Sequence, residues 1–338
     1  MVITQTPFRM SFFGGGTDYE GFYKEHGGAV ISTTFNKYCY VTIRNLPRFF
    51  EYQSQLVYSV IERVKSEEEI KHPLMKNAMK YLDMHNLHII YDADLPARSG
   101  LGTSSSFAVG MLNAMYALKG KYVDKTKLAK DAIYLERTLC KESGGIQDQI
   151  AAAFGGLNRL NFNADGFTVN PIIISKERRR LLNDNLMLFF TGFTRYSHEV
   201  ASSQVKATKD KTAQLKEMLS LVDDAEKILV SGSDLNEFGR LLDYTWKLKR
   251  GITSSITTDS IDSMYQKAVD VGALGGKLLG AGGGGFFVFY VERDKQQSVK
   301  NALKDFMYVP FEFENEGTKI NYFNAENDIP FGNEKQGA

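Results

Sequence analysis

Hydrophobic and polar positions along this chain follow two periods, one typical of strands and the other of helices. Residues 37–44 alternate between the two faces of an extended segment, which predicts a strand, and residues 88–91 predict a second, shorter one. Apolar residues then recur at helical spacing from Phe107 to Leu118 and from Leu128 to Leu139. We therefore expect two helices that pack on a sheet.

The second half of the chain continues the mixture of strands and helices. Strands are predicted at residues 157–161, 168–174, 186–191, 286–291, 309–313 and 319–323. Long helices are predicted at residues 197–230, 234–249 and 259–271, and a polar connector at residues 175–184. This arrangement favours two lobes, residues 1–180 and residues 181–338.

Composition excludes several classes of protein. With 43% hydrophobic residues, the 338-residue chain can bury a large core, so it is not disordered. Lys and Arg number 41 against 40 Asp and Glu, a balance that provides no overall field for nucleic acid or an anionic membrane. Two cysteines are too few for a disulfide framework. With neither a signal peptide nor an apolar run of membrane-spanning length, the expected location is the cytoplasm.

The segment PARSGLGTSSS, residues 96–106, follows a predicted strand and opens the first predicted helix. Glycine lets backbone approach a ligand closely, and the free N–H groups at a helix start attract phosphate. The hydroxyl groups of residues 103–106 add side-chain donors and an oxygen suited to Mg²⁺. An ordinary helix capped by Ser or Thr after a glycine turn explains the same letters, so both interpretations stay open.

Two carboxylates downstream are candidates for chemistry. Glu136 lies on the apolar stripe of the second predicted helix, where a buried charge needs a metal ion or a lysine as partner. A position at the solvated margin of that stripe is the alternative. Asp148 falls in the first turn of a helix that starts after Gly144 and Gly145. It is either a surface acid that complements the helix dipole or a base directed at a substrate hydroxyl.

Two further glycine clusters lie near the ends of the chain. In PFRMSFFGGGTDY, residues 7–19, Asp18 can accept hydrogen bonds from sugar hydroxyls and Arg9 can orient an acid or a phosphate; a glycine turn with an Asx cap is the alternative. In KLLGAGGGG, residues 277–285, a G-x-G-x-x-G match is accidental, because a dinucleotide fingerprint opens a helix and this segment opens a strand. That bare backbone instead predicts close approach to another loop or to a phosphate.

In this order, the three glycine segments resemble the signature motifs of the GHMP kinases, the family of galactokinase, homoserine kinase, mevalonate kinase and phosphomevalonate kinase. The resemblance spans residues 7–291 and includes GGIQDQ at residues 144–149. It implies an α+β fold with an N-terminal lobe like domain 2 of ribosomal protein S5 and a C-terminal ferredoxin-like lobe. Two departures are GGG for the usual Gly-Glu-His before Thr-Asp-Tyr, which argues against an ordinary galactokinase, and TSSS for Ser-Ser-Ala-Ala.

The resemblance also implies roles for the motif residues. Asp148 becomes the catalytic base, and Arg9 the cation that keeps it ionised and positioned. Glu136 and Ser104 become the Mg²⁺ ligands. The cradle of the ATP phosphates is formed by Arg98, Gly100, Leu101, Gly102, Thr103, Ser104, Ser105 and Ser106. The residues expected to contact the substrate are Gly15, Gly16, Thr17, Asp18, Gly282 and Gly283.

Within the family, GGGTDY and PARSGLG look most like the bacterial D-glycero-α-D-manno-heptose 7-phosphate 1-kinases, which act on the path to GDP-heptose and surface glycans. The cofactors implied are ATP and Mg²⁺, and the partner is a small sugar phosphate, with no nucleic acid and no membrane. A homodimer stays open. The alternatives are an L-fucose or other hexose 1-kinase, and a non-catalytic sugar or ATP sensor on the same fold. Candidates for holding a substrate phosphate are Arg98, Arg195, Lys247, Lys249 and Arg250.

Overall fold

The computed structural model describes residues 1–47, 49–192, 202, 204, 210–253 and 255–324. Within those residues the chain forms two antiparallel-rich sheets and the helices that cover them. The strands, in chain order, are β1 (Val2–Phe13), β2 (Gly28–Asn45), β3 (Ser54–Val57), β4 (Ile61–Val64), β5 (Leu87–Ala93), β6 (Asn158–Asn163), β7 (Gly166–Pro171), β8 (Leu186–Phe190), β9 (Ala273–Leu278), β10 (Phe286–Val291), β11 (Met307–Val309), β12 (Phe313–Glu314) and β13 (Lys319–Phe323).

Among the described residues, the helices lie between these strands, singly or in runs of up to three. They are α1 (Glu20–His26), α2 (Pro73–Leu82), α3 (Thr103–Leu118), α4 (Lys125–Ile133), α5 (Gln147–Phe154), α6 (Lys176–Asp184), α7 (Thr212–Val230), α8 (Asn236–Arg250), α9 (Asp259–Asp270) and α10 (Gln296–Ala302). A short 3₁₀ turn covers Glu67–Glu69, and α4 continues directly into a π-helical turn at Tyr134–Leu139. None of the helices in the described ranges is long and apolar enough to cross a membrane.

The larger sheet runs in the order β13-β1-β2-β5-β3-β4, with β6 and β12 also pairing with β2 and β7 pairing with β6. The long strand β2 is its centre and pairs with four neighbours, of which β1 shares the longest register. Helix α3 lies across β1 and β2, and nearly all of its side chains are buried. Because α3 starts at the phosphate-type loop, this packing fixes the loop against the sheet.

The smaller sheet has the order β11-β8-β10-β9, and every pair in it is antiparallel. Helix α8 packs on β9 and also reaches the end of β1. There the ring of Phe238 contacts Phe12 and Phe13 edge to face, with centroids 5.4 and 5.0 Å apart. Such aromatic contacts belong to an apolar cluster that includes residues of both sheets, and a second apolar cluster packs around Trp246. The end of β1 therefore lies between both parts of the fold.

Most predicted elements are confirmed, two differ, and one lies partly outside the described residues. The predicted connector at 175–184 is helix α6, which Ser175 caps by accepting a hydrogen bond from the backbone N–H of Arg178. The predicted strand 309–313 is divided into β11 and β12, because Pro310 lacks an N–H for a sheet ladder. Of the predicted helix 197–230, the structure describes Thr212–Val230, and most of the remainder lies outside the described residues.

The chain returns to its first sheet near its end. Strand β13 pairs with β1, and β12 pairs with β2, so residues 313–323 extend the sheet that the N-terminal residues build. The division into lobes at residue 180 stays a prediction.

Candidate active site

A cavity lies where four loops meet: the turn after β1, the loop before α3, the loop before α5 and the turn after β9. All four carry glycines of the sequence motifs. The described residues that line the cavity are Arg9, Ser11, Gly15, Gly16, Asp18, Tyr19, Arg98, Gly100, Gly102, Thr103, Ser104, Ser105, Glu136, Arg137, Glu142, Ser143, Gly144, Gly145, Gln147, Asp148, Gln204, Lys249, Lys277, Gly280 and Ala281. Segments separated by more than 200 residues in sequence thus form one surface.

Arg9 and Asp148 form a bidentate ion pair in this cavity. Nε and Nη2 of Arg9 donate to the two carboxylate oxygens of Asp148 at 2.8 and 2.9 Å. Nη1 donates to the carbonyl of Gly100 at 2.6 Å, so the same guanidinium also holds the loop before α3. The Arg9 side chain is 5% exposed and that of Asp148 is 23% exposed. Arg9 is therefore fixed on three sides, and the carboxylate still faces the cavity.

The loop before α3 has the geometry of an anion cradle. Gly100 and Gly102 have φ of +81° and +72°, which favour glycine, and Gly102 caps the helix. The first turn of a helix has backbone N–H groups without intrahelical acceptors, which together with the helix dipole stabilise a phosphate, and Thr103, Ser104 and Ser105 of this turn line the cavity. Ser104 is exposed at this turn, and Thr103 and Ser105 line the cavity beside it.

The third glycine motif supports this loop from behind. A Cβ on Gly280 would lie 2.4 Å from the Cα of Gly100, and one on Gly285 would lie 2.2 Å from the carbonyl oxygen of Ser99. Only bare backbone permits this contact. The segment joins β9 to β10 and opens a strand, so the dinucleotide-binding alternative has no helix to support it. Its predicted close approach to another loop is confirmed.

Glu136 is a buried acceptor beside the start of α3. Its side chain receives hydrogen bonds from the hydroxyl groups of Ser104 at 3.0 Å and Ser105 at 2.7 Å, and a third from the amide of Gln149. The residue is 1% exposed, so its predicted burial is confirmed and the alternative position at a solvated margin is wrong. The π-helical turn at Tyr134–Leu139 adds one residue to the helical repeat at this point, a device that is frequent at functional sites.

The Glu136 and Ser104 oxygens suit a hard divalent cation. Among the described residues no group of three His, Cys, Asp or Glu side chains could hold a metal ion alone. Mg²⁺ commonly takes one or two protein oxygens and completes its shell with waters and substrate phosphates. A carboxylate and a hydroxyl 3.0 Å apart next to an anion cradle therefore fit this ion.

A further carboxylate, Glu142, lies on the cavity wall. Burial, and then the nearby charge of Glu136, raise its pKa to about 7.

Asp18 also lines the cavity and is almost completely buried. Its carboxylate accepts from the N–H of Gly16 at 3.0 Å and from the amide of Gln147 at 3.0 Å. Burial, and then the charge of Asp148, raise its pKa above the ordinary value. A Cβ on Gly145 would lie 1.7 Å from Asp18 Oδ2, so the GGIQDQ segment needs glycine there to leave room for this carboxylate.

Ser11 Oγ and Gln147 Oε1 are among the buried polar atoms of the described residues that have no hydrogen-bond partner. Both residues line the cavity. A buried acceptor or hydroxyl without a partner is costly, and a ligand rich in hydroxyl groups would satisfy both. This half of the cavity therefore suits a polyol such as a sugar.

Several predicted site residues do not line the cavity. The Thr17 hydroxyl donates to the carbonyls of Gly14 and Ala29, and the Ser106 hydroxyl donates to the carbonyl of Pro7. Each of these side chains is satisfied by backbone and braces a loop. The remaining predicted residues outside the lining are Leu101, which is buried, and Gly282 and Gly283, which contact the backbone around Ile256.

The structure also adds site residues for which the motifs predicted no role. Arg137 donates to the carbonyls of Glu142 and Gly145 and so holds the loop before α5. Lys277 lies on β9 and lines the cavity, and Gln147 positions Asp18. A charged residue inside the otherwise apolar run Ala273–Leu278 is a signal that could have identified Lys277. Arg137 carried no comparable signal, because its role depends on the π turn.

The basic residues predicted as candidates for holding a substrate phosphate differ in whether they line the cavity. Lys249 lies in the cavity, and so does Arg98. Lys247 is exposed and pairs with Asp243, and Arg250 pairs with Asp262 away from the cavity. Arg195 lies outside the described residues.

Comparison with known proteins shows which family profiles and relatives this chain matches. The profile of the GHMP kinases N terminal domain matches residues 56–156, and that of the GHMP kinases C terminal domain matches residues 221–309. The chain is 30% identical to D-glycero-alpha-D-manno-heptose 7-phosphate kinase of Campylobacter jejuni over 333 residues, covering 94% of this chain and 97% of that protein.

Two further matches have different coverage. The L-fucokinase/L-fucose-1-P guanylyltransferase of Bacteroides fragilis is 32% identical over 62% of this chain, but over only 22% of that protein. A crystal structure described as a D-glycero-D-manno-heptose 1-phosphate kinase from Bacteroides thetaiotaomicron superposes with a TM-score of 0.79 and 25% identity, covering 96% of this chain and 100% of that one. The fold of the whole described chain is therefore that of a sugar kinase.

Proposed function

The chain belongs to the GHMP kinase family, and we propose that it transfers the terminal phosphate of ATP to the C1 hydroxyl of D-glycero-α-D-manno-heptose 7-phosphate. Membership makes it an ATP-dependent phosphotransferase with an alcohol group as acceptor, and its relatives make it a sugar kinase. The heptose 7-phosphate, the C1 position and the role of each residue are the proposal. The product is the 1,7-bisphosphate, a precursor for GDP-heptose.

The observation that carries the proposal is the bidentate pair between Arg9 and Asp148 beside the glycine loop of Gly100 and Gly102. A carboxylate at this place can accept a proton from a hydroxyl while a phosphate lies on the start of α3. Arg9 fixes the position of that carboxylate relative to the loop, because it hydrogen-bonds both. Positioning is the main contribution that a phosphoryl-transfer site makes.

Asp148 accepts the proton that the C1 hydroxyl loses as its oxygen attacks the terminal phosphorus of ATP. The bond between that phosphorus and the bridging oxygen breaks, and ADP leaves with the electron pair. The anomeric hydroxyl is the most acidic on a sugar ring, so it suits a carboxylate base. Asp18 and Ser11 accept or donate hydrogen bonds to the remaining hydroxyl groups of the sugar, and the first turn of α3 holds the phosphates.

Glu136 and Ser104 would hold Mg²⁺ in this site, since their oxygens are adjacent and face the anion cradle. Bound there, the ion would offset the negative charge of the phosphate oxygens. Ser105 and Gln149 orient Glu136 through its second carboxylate oxygen. This support keeps the first oxygen directed toward Ser104.

A hexose 1-kinase acting on L-fucose is the second candidate, favoured by the 32% identity to the fucokinase part of a longer protein. The greater coverage of the heptose 7-phosphate kinase, 94% against 62% of this chain, favours the heptose phosphate. The sensor alternative lacks support, because Asp148, Glu136 and Ser104 are all present and meet in one cavity.

The test is a panel of sugars and sugar phosphates assayed for ATP consumption, including the heptose with and without its 7-phosphate. We expect kcat/KM for the phosphorylated heptose to exceed that for the free heptose by about two to three orders of magnitude, because lost charge-assisted hydrogen bonds leave buried cations unpaired. If kcat/KM for free L-fucose equals or exceeds that for the heptose 7-phosphate, the protein is a hexose 1-kinase and the proposed substrate is wrong.

A further inference from the structure

Two lysine side chains reach the cavity wall from the second part of the chain. Lys249 lies near the end of α8 and is 5% exposed, and Lys277 lies on β9 and is 2% exposed. Fully buried lysines are rare unless they are paired. The proposed proton transfer uses neither of them, and the motif that begins at Lys277 gave that residue no role.

Among the described residues, their hydrogen-bond partners are all backbone carbonyls. The ammonium of Lys277 donates to the carbonyl of Phe12 at 2.9 Å, and that of Lys249 donates to the carbonyls of Leu278 and Gly280. Each ammonium has three donors, so donors remain on both. Across the described ranges, neither lysine forms an ion pair with a carboxylate.

The charged groups around Lys249 and Lys277 do not neutralise the positive charge of the two lysines. Arg9 on β1 repels both lysines, and the two lysines repel each other. Asp18 attracts both but is engaged by Gly16 and Gln147, and Asp148 is engaged by Arg9 through both oxygens. Three cations therefore face two carboxylates in this part of the cavity.

The protonation of the lysines reflects this imbalance. Burial, and then the charge of Arg9, lower the pKa of Lys249 to about 8. Burial, and then the charge of Lys249, lower the pKa of Lys277 well below its ordinary value. An anion placed between them would reverse both effects and raise the two pKa values.

We infer that Lys249 and Lys277 form an anion subsite of the cavity and hold a phosphate group that a ligand brings into the site. The shared chemistry is a dianionic phosphate, which accepts charge-assisted hydrogen bonds from both ammonium groups. It has two sources, the phosphate that the sugar already carries and the terminal phosphate of ATP. The inference rests on the proposed function for these two ligands.

The subsite is tested by calorimetric binding at pH 8.5 in buffers with different heats of ionisation. One arm uses heptose 7-phosphate without nucleotide, a second uses a non-hydrolysable ATP analogue with Mg²⁺ and no sugar, and a third uses inorganic phosphate. The variants are Lys249→Met and Lys277→Met, which keep the length of the side chain and remove its charge. Lys247→Met, exposed on the same helix as Lys249 and paired with Asp243, is the matched control.

Wild-type protein is expected to take up about one proton per neutral lysine when a phosphate binds. Each cavity variant should weaken binding about 10- to 100-fold and reduce the proton uptake, whereas Lys247→Met should change neither. Dependence on the lysines in the sugar arm assigns the subsite to the phosphate of the substrate, and dependence in the nucleotide arm assigns it to ATP. Unchanged affinity and uptake in all three arms overturn the subsite.

Failure of the proposed function gives a different result. If no heptose phosphate is phosphorylated but inorganic phosphate still binds with lysine-dependent proton uptake, the substrate assignment fails and the subsite stands. If heptose 7-phosphate is phosphorylated equally well by wild type and by both lysine variants, and no arm shows lysine dependence, the subsite fails and the proposed function stands. Thermal unfolding of each variant confirms that a change in binding is not a loss of fold.

Discussion

Arg9 and Asp148, separated by 139 positions in sequence, share two hydrogen bonds of 2.8 and 2.9 Å. Arg9 belongs to β1 and Asp148 to the first turn of α5, so the pair joins the sheet to the helix that follows the Gly-Gly turn. Since Arg9 also holds Gly100, its guanidinium sets the distance between the carboxylate and the anion cradle.

Replacing Asp148 by asparagine should lower kcat by about 10²- to 10⁴-fold while ATP affinity changes little. The variant keeps the shape of the side chain but removes the base. Because phosphoryl-transfer transition states need little deprotonation, the lower end of this range also fits. Steady-state kinetics and nucleotide binding provide the measurement. Asp262→Asn, at a carboxylate paired with Arg250 outside the cavity, is the control, and turnover of Asp148→Asn within a few-fold of wild type would remove Asp148 as the base.

Glu136→Gln should raise the Mg²⁺ concentration needed for activity far more than it lowers stability, because it removes a charged oxygen ligand and keeps the shape. Activity is titrated with Mg²⁺, and unfolding is followed in parallel. Glu62→Gln is a suitable control, since Glu62 is also buried and accepts from Tyr58 and the backbone of Lys71, away from the cavity. A collapse in thermal stability with unchanged metal dependence would make Glu136 structural.

Asp18→Asn should raise KM for the sugar about 10-fold or more and leave KM for ATP nearly unchanged. The substitution replaces one acceptor oxygen by a donor next to Gln147, whose amide already donates to that carboxylate. The measurement is initial-rate kinetics with each substrate varied in turn. An equal change in both KM values would show that Asp18 supports the loop and does not contact the sugar.

Lys249→Met should be more stable than wild type at pH 7 in the absence of ligand, by about 1 to 3 kcal/mol. The pKa of Lys249 is lowered to about 8 in the folded protein, so between pH 8 and the ordinary value of 10.5 the unfolded chain binds a proton that the folded protein has released. Wild-type stability therefore rises with pH across this window. The advantage of the variant is full below pH 8 and shrinks as the pH approaches 10.5.

Urea unfolding at pH 7 and at pH 9.5 measures that difference. Lys247→Met is again the control, because its side chain is exposed and should show no comparable change with pH. An advantage of Lys249→Met that is the same at both pH values would mean that packing, and not the buried charge, separates the two proteins.

Much of the site could be predicted because its chemistry lies in short motifs. The loop of Gly100 and Gly102 could be identified because its glycines follow a predicted strand and precede a predicted helix. The GGIQDQ segment likewise predicted that Asp148 lies in the first turn of a helix. These features depend on local backbone conformation, which neighbouring residues determine. The fold class followed from the same motifs through the family resemblance.

The remainder depends on contacts between distant segments. The π turn that carries Glu136, the return of β13 to β1, and the positions of Lys249 and Lys277 against Phe12 and Gly280 involve residues far apart in sequence. Single hydroxyl residues were also hard to distinguish, since Ser104 faces the cavity and Ser106, two positions later, binds the carbonyl of Pro7. The helical repeat separates these two side chains, but the letters alone do not show which one faces the ligand.

The most direct test of the central claim is the position of the new phosphate. Purified enzyme is incubated with ATP, Mg²⁺ and D-glycero-α-D-manno-heptose 7-phosphate, and the product is examined by ³¹P and ¹H NMR. The account predicts a second phosphate resonance coupled to the anomeric proton, which identifies the 1,7-bisphosphate. A phosphate on any other carbon, or no transfer to this sugar when another sugar of the panel is phosphorylated, would contradict it.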